Sequence, residues 1–258
     1  MTLPRKTRLD VLMVARGLAE TRDWAQRLIR AGEVRVNEQV VDQPSRTFHD
    51  DILITVQNPP RFVSRGGFKL EAALDQFHLD VSGLTCADVG SSTGGFTDCM
   101  LQRGAQRVLA LDVGSNQLHW KLRKDPRVLV MEGVNVRYLD ALSEPIQFAV
   151  VDVSFIGLEL ILPRVFGWLK ASAPFNSETA GSVVALIKPQ FEAGREKVGR
   201  GGIVRDPAVH QEVVERVVSF CHIQSWEARG VIDSPILGAD GNKEFLVWLR
   251  YAYPTDCG

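Results

Sequence analysis

The chain has 258 residues, of which 45% are hydrophobic and 24% charged, with 30 basic against 31 acidic side chains. That length is enough for one large domain plus a small one, each with its own core. The near-neutral balance excludes a protein that coats polyanions indiscriminately, although local basic patches remain open to it.

The first residues, MTLPRKTRLDVLMVARG, lack the apolar stretch of a signal peptide, and no later run supplies ~20 consecutive apolar residues for a membrane span. No membrane association is expected. Leu9, Leu12 and Met13 then fall at helical spacing, with Gly17 as the residue that ends the helix. Thr21 is the expected N-cap of a second helix that buries Ala25, Leu28 and Ile29 and closes at Gly32. Val34 and Val36, a turn at Asn37-Glu38, Val40-Val41 and the run Ile52 to Val56 predict short strands. Residues 1–60 thus read as a small α+β domain. The prolines of NPPRF cannot continue a ladder or a helix, so the linker is placed at 61–66 and the large domain at 67–258.

In the large domain the runs TCADV, RVLALDV, VLVM, FAVVDV and SVVALIK alternate with helix-length segments. Nearly continuous Val/Leu/Ile strands so spaced predict a parallel sheet covered on both faces, a doubly wound α/β fold. WEARGVI and FLVWLRY are separated by a loop alone and predict a closing antiparallel pair. The cysteines Cys86, Cys99, Cys221 and Cys257 form no CxxC pair and have no histidines at zinc spacing, so a reduced cytoplasmic chain without metal is expected.

The first strand runs into Asp88, Gly90, Ser91, Ser92, Thr93, Gly94, Gly95 and Phe96. A dinucleotide fingerprint would need glycine where Ser92 stands, and a P-loop would need a GK[ST] that is absent. Asp112, ending the second strand beside Val113, can accept hydrogen bonds from both hydroxyls of a ribose. A glycine turn without a pyrophosphate site leaves room for an amino-acid tail, and the combination suits S-adenosylmethionine. Gly133, Val134 and Asn135, after the third strand, are placed to contact the adenine, with Asp152 at the end of the fourth; a turn-stabilising role for Asn135 stays open.

Asp152 and Lys188 end the fourth and fifth strands, Glu244 precedes the antiparallel last strand, and Lys69 lies in the helix before the first, so all four can reach one sheet edge. In the strings SRGGFKL, DVGSSTGGFTDCML, DVSFI and LIKPQFE, this order resembles the Lys-Asp-Lys-Glu tetrad of FtsJ-like RNA ribose 2′-O-methyltransferases and, within them, the TlyA or haemolysin A family. The resemblance implies a Rossmann-like methyltransferase fold, S-adenosylmethionine as cofactor, and a cytidine ribose in ribosomal RNA as substrate. Lys188 is then the candidate base for the 2′-hydroxyl, or a cation that orients it and stabilises the developing oxyanion; nearby cations oppose its charge and nearby carboxylates favour it.

Residues 5–35 carry Arg5, Lys6, Arg8, Arg16, Arg22, Arg27, Arg30 and Arg35 against four acids, a local positive surface fit to track phosphates. RLDVLMVARGLAETRDWAQRLIRAGEVRVN resembles the αL RNA-binding module of ribosomal proteins and tyrosyl-tRNA synthetases. Arg65 is a further RNA-facing candidate, and so is Arg195 in GREKVGRGGIVRD, which reads as a mobile loop. Arg137 resembles the family's RNA-contacting arginine. The expected partner is ribosomal RNA or a ribosomal subunit, with a monomer favoured. Two rival functions are a membrane-active haemolysin, after the family's older name, and an RNA-binding assembly factor that has lost catalysis.

Overall fold

The computed structural model describes residues 6–19, 21–57, 61–173, 175, 177, 179–238 and 241–251. The expected RNA contact Arg5 and the cysteine Cys257 lie outside these. The chain divides into two compact units, Met1–Ser64 with His119–Lys121, and Arg65–Leu118 with Leu122–Gly258.

The first unit runs β1 (Lys6–Arg8), α1 (Leu9–Ala15), α2 (Arg22–Arg30), β2 (Val34–Val36), β3 (Gln39–Val40), β4 (Thr47–His49) and β5 (Ile54–Val56). Helix α1 buries Leu9, Leu12 and Met13. It stops at Gly17, whose φ of +68° lets the Leu18 amide reach back to the Met13 carbonyl at 2.8 Å. Thr21 caps α2 by accepting from the Trp24 amide at 3.1 Å. Asn37 and Glu38 both take positive φ, the turn that matches strand twist in a two-residue hairpin, and β2 pairs on one side with β3 and on the other with β5. The antiparallel pair β1–β4 was not expected from sequence, because three polar-rich residues on each side carry no periodicity.

From Gly66 on, the chain runs α3 (Gly66–Gln76), β6 (Thr85–Val89), α4 (Gly95–Gln102), β7 (Arg107–Asp112), α5 (Trp120–Arg123), of which Trp120 and Lys121 are grouped with the first unit, and then β8 (Val128–Glu132), β9 (Phe148–Val151), α6 (Leu162–Ala171), β10 (Ser182–Ile187), α7 (Pro189–Glu192), α8 (Pro207–Ile223), β11 (Trp226–Asp233) and β12 (Phe245–Tyr251), the remainder forming the second unit. The strands of this second unit form one seven-stranded sheet in the order β11-β12-β10-β9-β6-β7-β8. The five strands β6 to β10 are mutually parallel, β12 runs antiparallel to β10, and β11 antiparallel to β12. The expected doubly wound sheet with a closing antiparallel pair is therefore present. β6, β9 and β10 are buried nearly end to end, as strands covered on both faces must be. Between β8 and β9 the crossover shrinks to a single 3-10 turn, Val136–Tyr138.

The register aligns the strand ends. Val89 pairs with Leu111 and with Val151, so Gly90, Asp112 and Asp152 leave the sheet in one row. Ile187 pairs with Phe245, which sets Lys188 beside Glu244 at the same edge.

Candidate functional site

The turn after β6 is built for close backbone approach. Gly90 has φ +86°, and a Cβ there would run into the Asp152 carbonyl oxygen; Gly94, at φ +96°, starts α4. Ser92, which stands where a dinucleotide fingerprint has glycine, adopts a left-handed φ of +47° all the same. Its amide donates to Asp112 Oδ2 at 2.8 Å, and the Gly114 amide donates to Asp112 Oδ1 at 2.7 Å. The carboxylate is thereby fixed, with one lone pair on each oxygen still available.

A cavity of about 390 Å³ opens beyond these strand ends. Of the predicted residues, Gly90, Ser92, Asp112, Val113, Val134, Asn135 and Asp152 line it. Asp88, Ser91, Gly94, Gly95 and Phe96 are buried behind it and shape the turn instead. Thr93 and Gly133 are likewise not among the lining residues. Asn135 lines the cavity, and its Oδ1 accepts from the Arg137 amide at 3.1 Å, which is the turn-stabilising role left open for it. Leu111, Val136, Ile156 and Ile161 add apolar wall.

Two buried polar atoms behind the turn, Asp88 Oδ1 and Ser91 Oγ, have no hydrogen-bond partner in the protein. Burial pushes the Asp88 carboxyl up to about 7, against the pull of the Thr97 hydroxyl, which donates to Oδ2 at 2.6 Å, and with help from the charges of Asp152 and Asp112. At the end of β8, Glu132 accepts from the amides of Asn116, Gln117 and Leu118 and pairs with Arg123 at 2.5 Å. The Arg123 guanidinium first, then these amides, hold it down at about 2.

The four charged candidates meet as two ion pairs. Lys188 Nζ lies 2.5 Å from Asp152 Oδ1, off the hydrogen-bond direction, and donates to Ser154 Oγ at 2.9 Å. Lys69 Nζ, in the first turn of α3, donates to Glu244 Oε2 at 2.6 Å. Lys69, Lys188 and Glu244 are all buried. Burial of these three charges is sustained only by such pairing.

Sequence reasoning missed Ser154 and Phe155, which line the cavity beside Asp152. Phe155 is 90% exposed at a left-handed φ of +64°, with its ring 5.0 Å from that of Phe191. Read in sequence, it is one more apolar residue of a strand run, and nothing local marks its exposure. The segment GREKVGRGGIVRD, expected to be mobile, is anchored. Gly199 bridges Ile203, and the buried Asn242 side chain accepts from the Val204 amide and donates to the Gly202 carbonyl. Arg195 is exposed on its 3-10 turn.

Among the other basic candidates, Lys6 and Arg65 are exposed, and the Arg137 guanidinium lies 5.6 Å over the exposed ring of Tyr138. Arg8 and Arg22 are not independent surface charges. Both bond the fully buried Asp10 at 2.9 Å, joined by Gln26 at 2.8 Å. Chiefly the Arg8 guanidinium, then Arg22 and Gln26, hold the Asp10 carboxyl well below the usual carboxylate range.

Comparison with known proteins gives concordant results. A model of the FtsJ-like methyltransferase family matches residues 62–251 and one of the S4 domain matches residues 7–50. A Bacillus subtilis (strain 168) protein provisionally named an rRNA methyltransferase, YqxC, is 51% identical over 96% of this chain and 86% of its own. The 16S/23S rRNA (cytidine-2′-O)-methyltransferase TlyA of Mycobacterium tuberculosis (strain ATCC 25618 / H37Rv) is 41% identical over 96% of this chain and 91% of its own. A solved Streptococcus thermophilus structure that bears a hemolysin name is 45% identical, covers 98% of this chain and 91% of its own, and superposes with a TM-score of 0.71.

Proposed function

Because the chain belongs to the FtsJ-like methyltransferase family, we propose that it methylates the ribose 2′-hydroxyl of a cytidine in ribosomal RNA, in the small subunit, the large subunit or both. The observation that carries this reading is the Lys188–Asp152 ion pair directly behind the cavity wall formed by Asp152 and Ser154. The name of the 41%-identical relative directs the reading to cytidine in ribosomal RNA. Ribosomal RNA is met in the cytoplasm, which is where the protein would act.

The cavity residues fit S-adenosylmethionine. Asp112 keeps a lone pair on each oxygen for the two ribose hydroxyls. Val113, Val134 and Val136 offer apolar surface for a purine, and Ser91 Oγ and Asp88 Oδ1 are polar atoms in want of partners. When bound, the cofactor supplies a methyl group already activated by its sulfonium. What remains for the protein is to bring a ribose oxygen in line and to manage its charge.

Lys188 is suited to that task as a donor. Its Nζ donates to Ser154 and lies against the Asp152 carboxylate, which leaves donor capacity to orient the 2′-oxygen and to stabilise negative charge as it develops there, while the hydroxyl proton passes to water as the new C–O bond forms. Lys69 adds a second cation at the same edge, with Glu244 fixing its position. In the small unit, Asp10 holds the guanidiniums of Arg8 and Arg22 in place while leaving them about half exposed, a rigid pair for phosphate contact. Lys6, Arg65, Arg137 and Arg195 are the remaining proposed RNA contacts.

The test is transfer of labelled methyl from S-adenosylmethionine to purified unmethylated ribosomal subunits, with wild type and Lys188→Ala. Label mapped to a cytidine ribose and lost in the variant is the expected result. No transfer with cofactor binding intact would instead favour an assembly factor. The haemolysin reading requires leakage from liposomes, and among the described residues no helix is long and apolar enough to cross a membrane.

A further inference from the structure

Glu192 has no part in the residue set assigned above, yet it is a buried carboxylate 7% exposed in the last position of α7, four residues beyond Lys188. Its Oε1 accepts from the Leu158 amide at 2.8 Å, and its Oε2 lies 3.3 Å from Arg216 Nη2 of α8. The same guanidinium donates to the Glu192 carbonyl, so both ends of the residue are held by one cation. Leu158 closes the loop that leaves β9 through Asp152, Ser154 and Phe155.

Three features show that this loop is held under constraint. Phe155 sits in a left-handed conformation that is uncommon for a bulky residue and costs backbone strain. Gly157 lies so close that a Cβ there would be 3.3 Å from Glu192 Oε2. The loop also carries the Asp152 and Ser154 oxygens that receive Lys188, and Val153 to Ile156 form one wall of the cavity. Lys188 and Glu192 leave β10 on one rigid turn, in which the Phe191 and Glu192 amides return to the Lys188 carbonyl.

We infer that Glu192 is a positioning residue for methyl transfer. Its carboxylate clamps the Asp152–Leu158 loop to the Lys188 turn and thereby sets the distance from Lys188 to Asp152 and Ser154, as well as the cavity wall they share. The inference rests on the methyltransferase reading, and Arg216 supplies the charge that lets a carboxylate serve there despite its burial, which raises its pKa.

The experiment measures kcat and KM for methyl transfer to unmethylated ribosomal subunits, together with calorimetric affinity for S-adenosylhomocysteine, in wild type, Glu192→Ala, Glu192→Gln and Arg216→Ala. Glu192→Ala should lose at least about tenfold in kcat and several-fold in S-adenosylhomocysteine affinity, with KM for RNA within about twofold. Glu192→Gln, whose amide oxygen still accepts from Leu158, should recover most of both. Folded Glu192→Ala with kcat and affinity within twofold of wild type overturns the inference, and so does a loss that glutamine does not restore. If Glu192→Ala does not fold, Arg216→Ala decides, since its side chain is half exposed: about a threefold fall in kcat supports the clamp and an unchanged kcat overturns it. If wild type transfers no methyl group, the functional reading falls by itself, and the affinity ratios alone then decide whether Glu192 positions the cavity wall.

Discussion

At the scale of single residues, the site depends on charges that are buried and paired. Lys188, which donates to Ser154 beside Asp152, is expected to act on the 2′-oxygen as a hydrogen-bond donor. Lys188→Ala should lower kcat roughly 10²–10⁴-fold. Lys188→Arg, which keeps the charge at every accessible pH, should retain part of the rate; a loss as deep as that of alanine would assign the lysine to proton removal instead. Asp88 makes a different demand. Its folded carboxyl is raised to about 7 from an ordinary 3.8, so the stability it contributes is fully present below pH 4 and is lost as pH rises through 7. Asp88→Asn should therefore gain on wild type between pH 5 and pH 8, by something on the order of 3 kcal/mol, in thermal melts at the two pH values. A gap that does not change with pH would show the carboxyl to be ionised throughout.

At the scale of elements, function rests on loops that have no helix or strand to stiffen them. The segment after β7 is held by Glu132, reached by three amides and one guanidinium. Its folded carboxyl is depressed to about 2 from an ordinary 4.5, so its contribution is present above pH 4.5 and lost as pH falls toward 2. Glu132→Gln should cost about 1–2 kcal/mol at pH 7, and equilibrium unfolding should show that difference shrinking near pH 3. The element pattern was legible wherever periodicity reports it. α1 and α2, with Gly17 and the Thr21 cap, follow from side-chain spacing and local capping, and β6 to β10 follow from apolar runs. β1–β4 and the shrunken crossover at Val136–Tyr138 did not, because pairing of three-residue polar strands is decided by the partner and not by the strand.

At the scale of the whole molecule, the proposed chemistry belongs to the second unit and the Arg8 and Arg22 phosphate contacts to the first, so these two should separate in experiment. Arg8→Glu with Arg22→Glu should raise KM for RNA at least about tenfold and reduce the salt dependence of binding by roughly two phosphate contacts, while S-adenosylhomocysteine affinity stays at the wild-type value. Because both arginines balance the buried Asp10, Asp10→Asn with the same pair of substitutions is the control for folding of the small unit. An unchanged KM in both variants would remove this surface from RNA recognition.

From the order of residues alone came the parallel sheet, the glycine turn at the end of its first strand, and the placing of Asp112, Asp152, Lys188 and Glu244 at strand ends. Each is a local property: a two- or 3.6-residue period, a residue able to take positive φ, or a charge that closes an apolar run. Folding alone decided which of these charges pair, since Lys69 and Glu244 stand 175 positions apart and Lys188 and Ser154 stand 34 apart. It also decided that Phe155 faces outward, that Arg8 and Arg22 share one buried carboxylate, and that Glu192 reaches the Leu158 amide. The reason is physical. A buried carboxylate or a strained loop residue is stable only through partners brought to it by tertiary packing, and no local pattern in the chain encodes those partners.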